Sequence, residues 1–297
     1  MLGIINPVAF VAHLGQGNHS GPSPALWNRL VGSHPSPDGC NAGVLVGDDF
    51  CNFQGITNAI SGTTALPSAT VPAPDGYKMY LDSATTASGA ARLETEQFGA
   101  VQLAPGLTDN HLAVMYSGGL VQLSDTAGSE RLTIWEARIR LPSQVTSGSI
   151  FAGLGNSVCV ADGGLVADAG GLIVATGAGI GFRTLDADPD SIDFVLKTNS
   201  SGAEVVVLNE AKVATAATWI KLGFVYDPMA DAAKRIKIYV DNVEQSTYGT
   251  ATQIAAATFP DGINLGTLLA CKSDGGSVAR LMDCDWWYCY QARADAT

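Results

Sequence analysis

Positive charge is scarce in this chain and nowhere concentrated. Its 297 residues hold 16 Lys and Arg against 28 Asp and Glu, a formal net charge of −12. The densest basic group is Lys234, Arg235 and Lys237, which alternation places along one strand. A nucleic-acid groove needs a concentrated basic surface, so a nucleic-acid partner is not expected, and these three read as a solvated strand face. A long apolar run is also missing. The apolar start MLGIINPVAFVAHLG is broken by Asn6-Pro7, and no Lys or Arg precedes it. It makes a poor signal peptide and no membrane span, so the expected product stays in the cytoplasm where it is made.

Chemistry-bearing motifs are equally sparse. The six cysteines (40, 51, 159, 271, 284 and 289) include no Cys-x-x-Cys pair and no zinc spacing. They are expected to be reduced and buried as small hydrophobes, with a Cys40–Cys51 bridge as the alternative. Cys284 and Cys289 have opposite parity, so a regular strand would send them to opposite faces. No Gly-x-Ser-x-Gly elbow occurs. Three of the four histidines (13, 19 and 34) lie in the loop-rich N-terminal region, with His111 beyond it; His13 and His19 read as arm loops rather than metal ligands. GAGIGFR (177–183) lacks the Gly-Lys-Ser/Thr ending of a phosphate loop. DADPDSID (186–193) starts like a calcium loop, but its sixth residue is Ser191 and its twelfth Lys197, where a helix-loop-helix site needs Gly and Glu. It reads as an acidic turn, as does Asp48-Asp49. A calcium site assembled from separate loops stays open.

What the chain has is alternation. LTIWEARIRLP (132–142) puts Leu132, Ile134, Glu136, Arg138 and Arg140 on one side and Thr133, Trp135, Ala137, Ile139 and Leu141 on the other. From Tyr77 similar segments follow at close spacing: 77–82, 98–104, 111–117, 120–124, 132–141, 148–155, 179–185, 191–198, 203–209, 219–227, 234–242, 265–272 and 279–291. Many short strands separated by turn signals indicate an all-β sandwich or jelly roll of two antiparallel sheets. SGGL (117–120) and NSSG (199–202) look like hairpin turns. Residues 165–179 read as a short helix or a long loop. Trp135, Phe182, Phe194, Trp219, Phe224 and Tyr239 are expected to be mostly buried.

Residues 1–76 differ. They are rich in Gly, Pro, Asn and Ser and show little regular alternation; VLVGDDFCNF (44–53) reads as a short apolar strand, a Gly-Asp-Asp turn and two aromatics. The expected organisation is an extended docking arm (1–76) followed by the jelly roll (77–297). Apolar residues in an irregular segment need a surface to bury against. Phe10, Val11, Leu14, Trp27, Leu30, Phe50 and Phe53 are the candidates for contacting a partner. Trp286 and Trp287 are adjacent, so one of them leaves the inner face, either to pack under a loop or to serve as a ligand platform.

Several segments, in their order, resemble the concanavalin A-like (laminin G-like) jelly-roll superfamily, and within it the virion structural proteins of tailed phages. They are WEARIRLP, IFAGLG, GIGFRTLDADPDSIDFVLKT, WIKLGFVYDP, RIKIYVDNVEQSTY, ATFPDG and MDCDWWYCYQ. The resemblance covers about Leu132–Gln291. It implies a capsid decoration (cement) protein on the outer capsid surface. Its expected partners are the major capsid protein and neighbouring copies of itself, as dimer or trimer. A lectin-like module of a tail fibre or spike, binding a glycan, is the alternative. Glucanases of this superfamily set two Glu and an Asp on one strand, so that acid and nucleophile flank one glycosidic bond. This sequence has no such motif; Glu94/Glu96 and Asp283/Asp285 are the nearest pairs. No catalytic residue, cofactor or metal is expected, and the protein is expected not to be an enzyme.

Overall fold

The computed structural model describes residues 21–27, 43–49, 99–106, 111–142, 148–161, 177–198, 204–273 and 280–292, with the backbone of short strands at 3–4, 56–57, 71–72, 78–81 and 89–92. The strands run in chain order as β1 (Gly3–Ile4), β2 (Gly43–Asp48), β3 (Ile56–Thr57), β4 (Val71–Pro72), β5 (Lys78–Leu81), β6 (Gly89–Arg92) and β7 (Val101–Ala104). Next come β8 (Leu112–Tyr116), β9 (Val121–Gln122), β10 (Thr133–Arg140), β11 (Ser149–Gly155), β12 (Gly179–Arg183), β13 (Ser191–Lys197) and β14 (Val205–Val213). The last are β15 (Trp219–Tyr226), β16 (Ile236–Val240), β17 (Val243–Gly249), β18 (Asn264–Lys272) and β19 (Met282–Ala292). The described helical segments are short: residues 24–27, α1 (Val158–Ala161) and α2 (Ala251–Ile254).

The strands form two antiparallel sheets. Sheet I runs β17-β16-β15-β10-β19-β7-β6-β3, with β2 added beside β19 and β1 beside β2. Sheet II runs β14-β13-β12-β11-β18-β8-β5-β4, with β9 also on β18. This is the expected concanavalin A-like jelly roll. The core lies between the sheets, where alternate residues of each strand meet. Trp135, Ala137 and Ile139 of β10 point into it with Ile220, Leu222, Phe224 and Tyr226 of β15. An aromatic chain spans it: Trp135 stacks on Phe224 at 5.8 Å, Phe224 meets Phe194 at 5.4 Å, and Phe194 meets Phe182 at 5.0 Å. The Trp135 indole donates to Thr267 Oγ1 at 3.1 Å, so this buried N–H is satisfied. Tyr239 is also buried, but on the outer side of sheet I.

Three sequence expectations change here. SGGL is not a hairpin turn. β8 and β9 both pair with β18 in one continuous direction, Tyr116 against Leu268 and Val121 against Leu265. The segment is a bulge in a single long strand, turned outward at Gly118 (φ +83°). In β19 the register slips against β10 between Arg138 and Ile139. That slip carries Cys284 to the same inner face as Trp287 and Cys289, so both thiols are in the core. It also puts Asp283 and Asp285 opposite Trp287, although counting by twos placed them together. The four described cysteines, 159, 271, 284 and 289, are buried and not joined in disulfides. Burial pushes the Cys271 thiol up to about 12. Finally, Trp219 is only half-buried, because its place at the start of β15 faces outward.

The β16–β17 hairpin behaves as its sequence indicates. Asp241 (φ 49°) and Asn242 (φ 69°) form a two-residue turn with both residues left-handed, and Val240 pairs with Val243 across it.

Part of the N-terminal arm belongs to the sandwich. Along β2, Leu45 pairs with Tyr290 and Val46 with Cys289 of β19, beyond the point where β7 stops pairing with that strand. The 76/77 boundary therefore does not separate Gly43–Asp48 from sheet I. NSSG, residues 165–176, Cys40, Cys51, Glu94, Glu96, His13, His19 and His34 lie outside the described residues.

Candidate functional site

The outer face of sheet I collects the unusual polar groups. Across its middle, cross-strand pairing aligns Tyr239, Gly223, Glu136, Tyr288 and Gly47 in one row. Over this row lies a segment of the N-terminal region, Ser23–Trp27, which turns helical at Pro24. Proline suits that first helical position, where no amide partner is needed. Leu26 and Trp27 are fully buried there with Leu45, Ile134, Val225, Tyr239 and Tyr290. Gly223 makes the slot: a Cβ at that position would stand 2.5 Å from Leu26 Cδ1.

Glu136 anchors the segment. It sits mid-strand with 1% of its surface exposed. Its Oε2 accepts the Trp27 indole N–H at 2.6 Å and the Ser23 amide at 3.0 Å. The Asn242 side chain accepts the Ala25 amide at 3.0 Å, so the turn of the last hairpin also grips the segment. Burying a carboxylate costs several kcal/mol after relaxation. A hydrogen bond to a charged group returns roughly 1.5–3 kcal/mol. Desolvation is the largest influence on Glu136 and raises its pKa, against the pull of the Ser23 and Trp27 donors and the Lys221 ammonium. The same burial lowers Lys221, with Glu136 pulling the other way.

Beside the segment runs a ladder of ion pairs. Arg138 binds Asp285, and Arg140 binds Asp283 through Nε and Nη2 at 2.9 and 2.7 Å. Gln102 donates to the other Asp283 oxygen at 2.8 Å. Both guanidinium groups lie on the Trp219 ring, at 4.5 and 4.4 Å from its centroid. Asp283 and Asp285 are thus neighbours, but each already has a cation.

Other sequence candidates resolve structurally. The DADPDSID turn packs around a cation supplied by the chain itself. Arg280, buried at 1% exposure, donates to the Pro189 carbonyl and feels Asp190 and Asp186, while Asp186 accepts the Gly148 amide. Among the described residues no group of His, Cys, Asp and Glu is arranged to hold a metal. GIGFR is strand β12. On the outer side of sheet II, Arg183 bridges Asp193 and Glu204, all nearly buried. Trp287 is core, and Trp286 lies on the opposite face, its ring 5.4 Å from that of Tyr288. In the basic group, Lys237 reaches Glu244 and Lys234 covers the Tyr248 ring.

Of the residues expected to contact a partner, Trp27 is instead enclosed by its own chain, with its ring edge-on to Tyr288 at 6.4 Å. Its indole N–H finds Glu136, which sequence distance concealed. Phe10, Val11, Leu14, Leu30, Phe50 and Phe53 lie outside the described residues. The Glu136 site itself escaped the sequence reading. Its one signal was an acid on the mostly polar side of an otherwise strongly apolar strand.

No protein-family model matches the sequence, and neither does any curated protein sequence. Solved structures do match in shape. Peanut lectin, solved with a nine-residue peptide, is 13% identical with a TM-score of 0.51, covering 86% of this chain and 99% of its own. A protein of unknown function from Shewanella oneidensis MR-1 is 11% identical at a TM-score of 0.49, covering 86% and 89%. A Bacteroides ovatus mixed-linkage-glucan GH16 protein, solved with product, is 13% identical at 0.45, covering 81% and 98%. At such identities the likeness establishes the concanavalin A-like fold alone.

Proposed function

We propose that the chain is a non-catalytic structural protein of a tailed-phage particle, a decoration protein bound to the outer capsid surface. One observation carries the non-catalytic part. The outer face of sheet I is closed by the chain's own Ser23–Trp27 segment, and the Asp283 and Asp285 carboxylates beside it are each held by an arginine. The virion part is supported by the ordered resemblance of residues 132–291 and by the apolar residues of the arm. In this reading Phe10, Val11, Leu14, Leu30, Phe50 and Phe53 contact the major capsid protein and neighbouring copies around a local two-fold or three-fold axis. The protein is made in the host cytoplasm and ends on the virion. Quantitative mass spectrometry of purified particles tests it. Hundreds of copies per particle are expected; a few copies place the chain in the tail, and none removes it from the virion. Purified protein is also expected to release no reducing ends from glucans. Release that disappears in Glu136→Gln or Asp285→Asn overturns the non-catalytic reading.

A second reading, a lectin-like module of a tail fibre or spike, is favoured by one feature. Half-buried Tyr288 lies against Trp286, next to the Arg138–Asp285 pair. A half-buried tyrosine ring beside paired charges suits a sugar's apolar face and hydroxyls. Binding on a glycan array that is lost in Tyr288→Ala would select this reading over capsid decoration.

A further inference from the structure

The segment over sheet I is fastened to a single buried carboxylate, and the way it is fastened has a consequence for protons. The Ser23 amide and the Trp27 indole meet the same oxygen, Oε2, and the Ser23 side chain also bears on the carboxylate. A proton placed on Oε1 leaves both bonds in place and removes the buried charge. With the segment lifted, Glu136 would face water, where the ionised form is well solvated. With it docked, that water is gone. We propose that Ser23–Trp27 is a proton-linked strap, which docks more firmly on sheet I when Glu136 is protonated and loosens when Glu136 ionises.

Among the described residues, the groups around Glu136 are few. On its own strand Arg138 is occupied by Asp285 of β19. On β15 stands Lys221, whose amide donates to Asp241 Oδ1, while Asp241 Oδ2 takes the Lys212 ammonium from β14. On β16 the Tyr239 hydroxyl donates to Glu244 of β17. On β19 Tyr288 is the cross-strand neighbour, and β2 brings only Gly47 to that row. The strap itself, Ser23-Pro24-Ala25-Leu26-Trp27, contributes no charged side chain. Among the described residues, Lys221 is the cation pulling towards the ionised form, and it is itself weakened by desolvation. Burial outweighs these groups and holds the Glu136 carboxyl above the ordinary glutamate value, and the strap supplies part of that burial.

The sign follows from linkage. The state with the higher pKa is favoured as pH falls, so docking tightens on acidification. It is lost as pH rises from the ordinary glutamate value through the raised one. Each unit between the two values changes the docking constant about tenfold. Loosening uncovers Ile134, Val225, Tyr239 and Tyr290, an apolar patch on an otherwise polar sheet face. The strap's proton linkage holds whichever partner the proposed function assigns to that patch.

Two measurements on the full chain test this. Carboxyl-carbon NMR of the wild-type protein should give Glu136 a midpoint above the ordinary glutamate range; a midpoint at or below it overturns the proposal. Hydrogen exchange of the Leu26 and Trp27 amides, corrected for the intrinsic pH dependence, should show protection falling as pH rises above the ordinary glutamate value. The fall should be about tenfold per unit of raised midpoint. In Glu136→Gln, which keeps the acceptor and loses the charge, protection should be flat and at the low-pH level. Flat protection in the wild type, protection that rises with pH, or a slope that persists in Glu136→Gln each overturns it. If Glu136→Gln does not fold, the wild-type titration decides alone.

Discussion

At the scale of single residues, Gly223 and Trp27 show how tightly the strap is fitted. Gly223 sits beside Glu136, and any side chain there must share space with Leu26. Gly223→Ala should therefore push Leu26 outward and weaken the strap while leaving the core aromatic chain intact. Hydrogen exchange should show faster Leu26 and Trp27 amides in that variant and unchanged amides in β12 and β13; equal loss in both places would mean that the sheet itself is disturbed. Trp27→Ala removes a fully buried indole and leaves Glu136 with one donor fewer. A large-to-small change of this kind costs about 3–5 kcal/mol. Calorimetry that finds no loss of thermal stability would mean that Trp27 is not enclosed as described. Trp219 is the contrast. Its ring lies outside the sandwich under two guanidinium groups, so Trp219→Ala removes cation–π contact rather than core, worth about 0.5–2 kcal/mol. A loss as large as that of Trp27→Ala would contradict this placement.

At the scale of elements, the alternation of β10, β15 and β12 was legible because each is a regular strand with one apolar face. Trp135, Phe224 and Phe182 went where counting by twos sends them. β19 was legible only in part. Its register slip cannot be seen in the sequence, and everything N-terminal to it flips: Cys284 moves into the core, and Asp283 and Asp285 move out to their arginines. SGGL misled for a related reason. Gly-Gly serves a hairpin and an outward bulge equally well, and β18 running past both β8 and β9 decides between them. The Asp241-Asn242 turn was legible because both residues tolerate positive φ. It also supplies a test at this scale. Asn242→Ala places a Cβ without compensating side-chain hydrogen bonds in a left-handed position and removes the acceptor for the Ala25 amide. The expected cost is about 1 kcal/mol, together with faster exchange at Ala25. Asn242→Gly should relieve the backbone part alone and still release Ala25. If both variants leave Ala25 exchange unchanged, the hairpin does not grip the strap.

At the scale of the whole molecule, the decisive matter is how much of the N-terminal arm the jelly roll owns. The sequence marks the arm as irregular, and irregularity was read as belonging to a partner. That reading missed pairs far apart in the chain, Trp27 with Glu136 and β2 with β19, which leave no periodic trace. Deleting residues 1–60 would remove β2, leave β19 from Trp287 to Ala292 without a neighbour on that side, and uncover Ile134, Val225, Tyr239 and Tyr290. A newly exposed strand edge beside a newly exposed apolar patch favours aggregation. The expected outcome is a truncated protein with markedly lower thermal stability and concentration-dependent association in light scattering. Deleting residues 1–20 leaves the strap and β2 in place and is expected to cost far less. In the decoration reading this shorter truncation also removes Phe10, Val11 and Leu14, and with them part of the grip on the capsid. Particles incubated with it should then bind fewer copies than with the full chain, although the protein remains folded. Full decoration by the 21–297 protein would place the capsid contact elsewhere, on Leu30, Phe50 and Phe53 or on the sandwich itself. An equally stable 61–297 protein would show that β2 and the strap are dispensable to the sheet they complete.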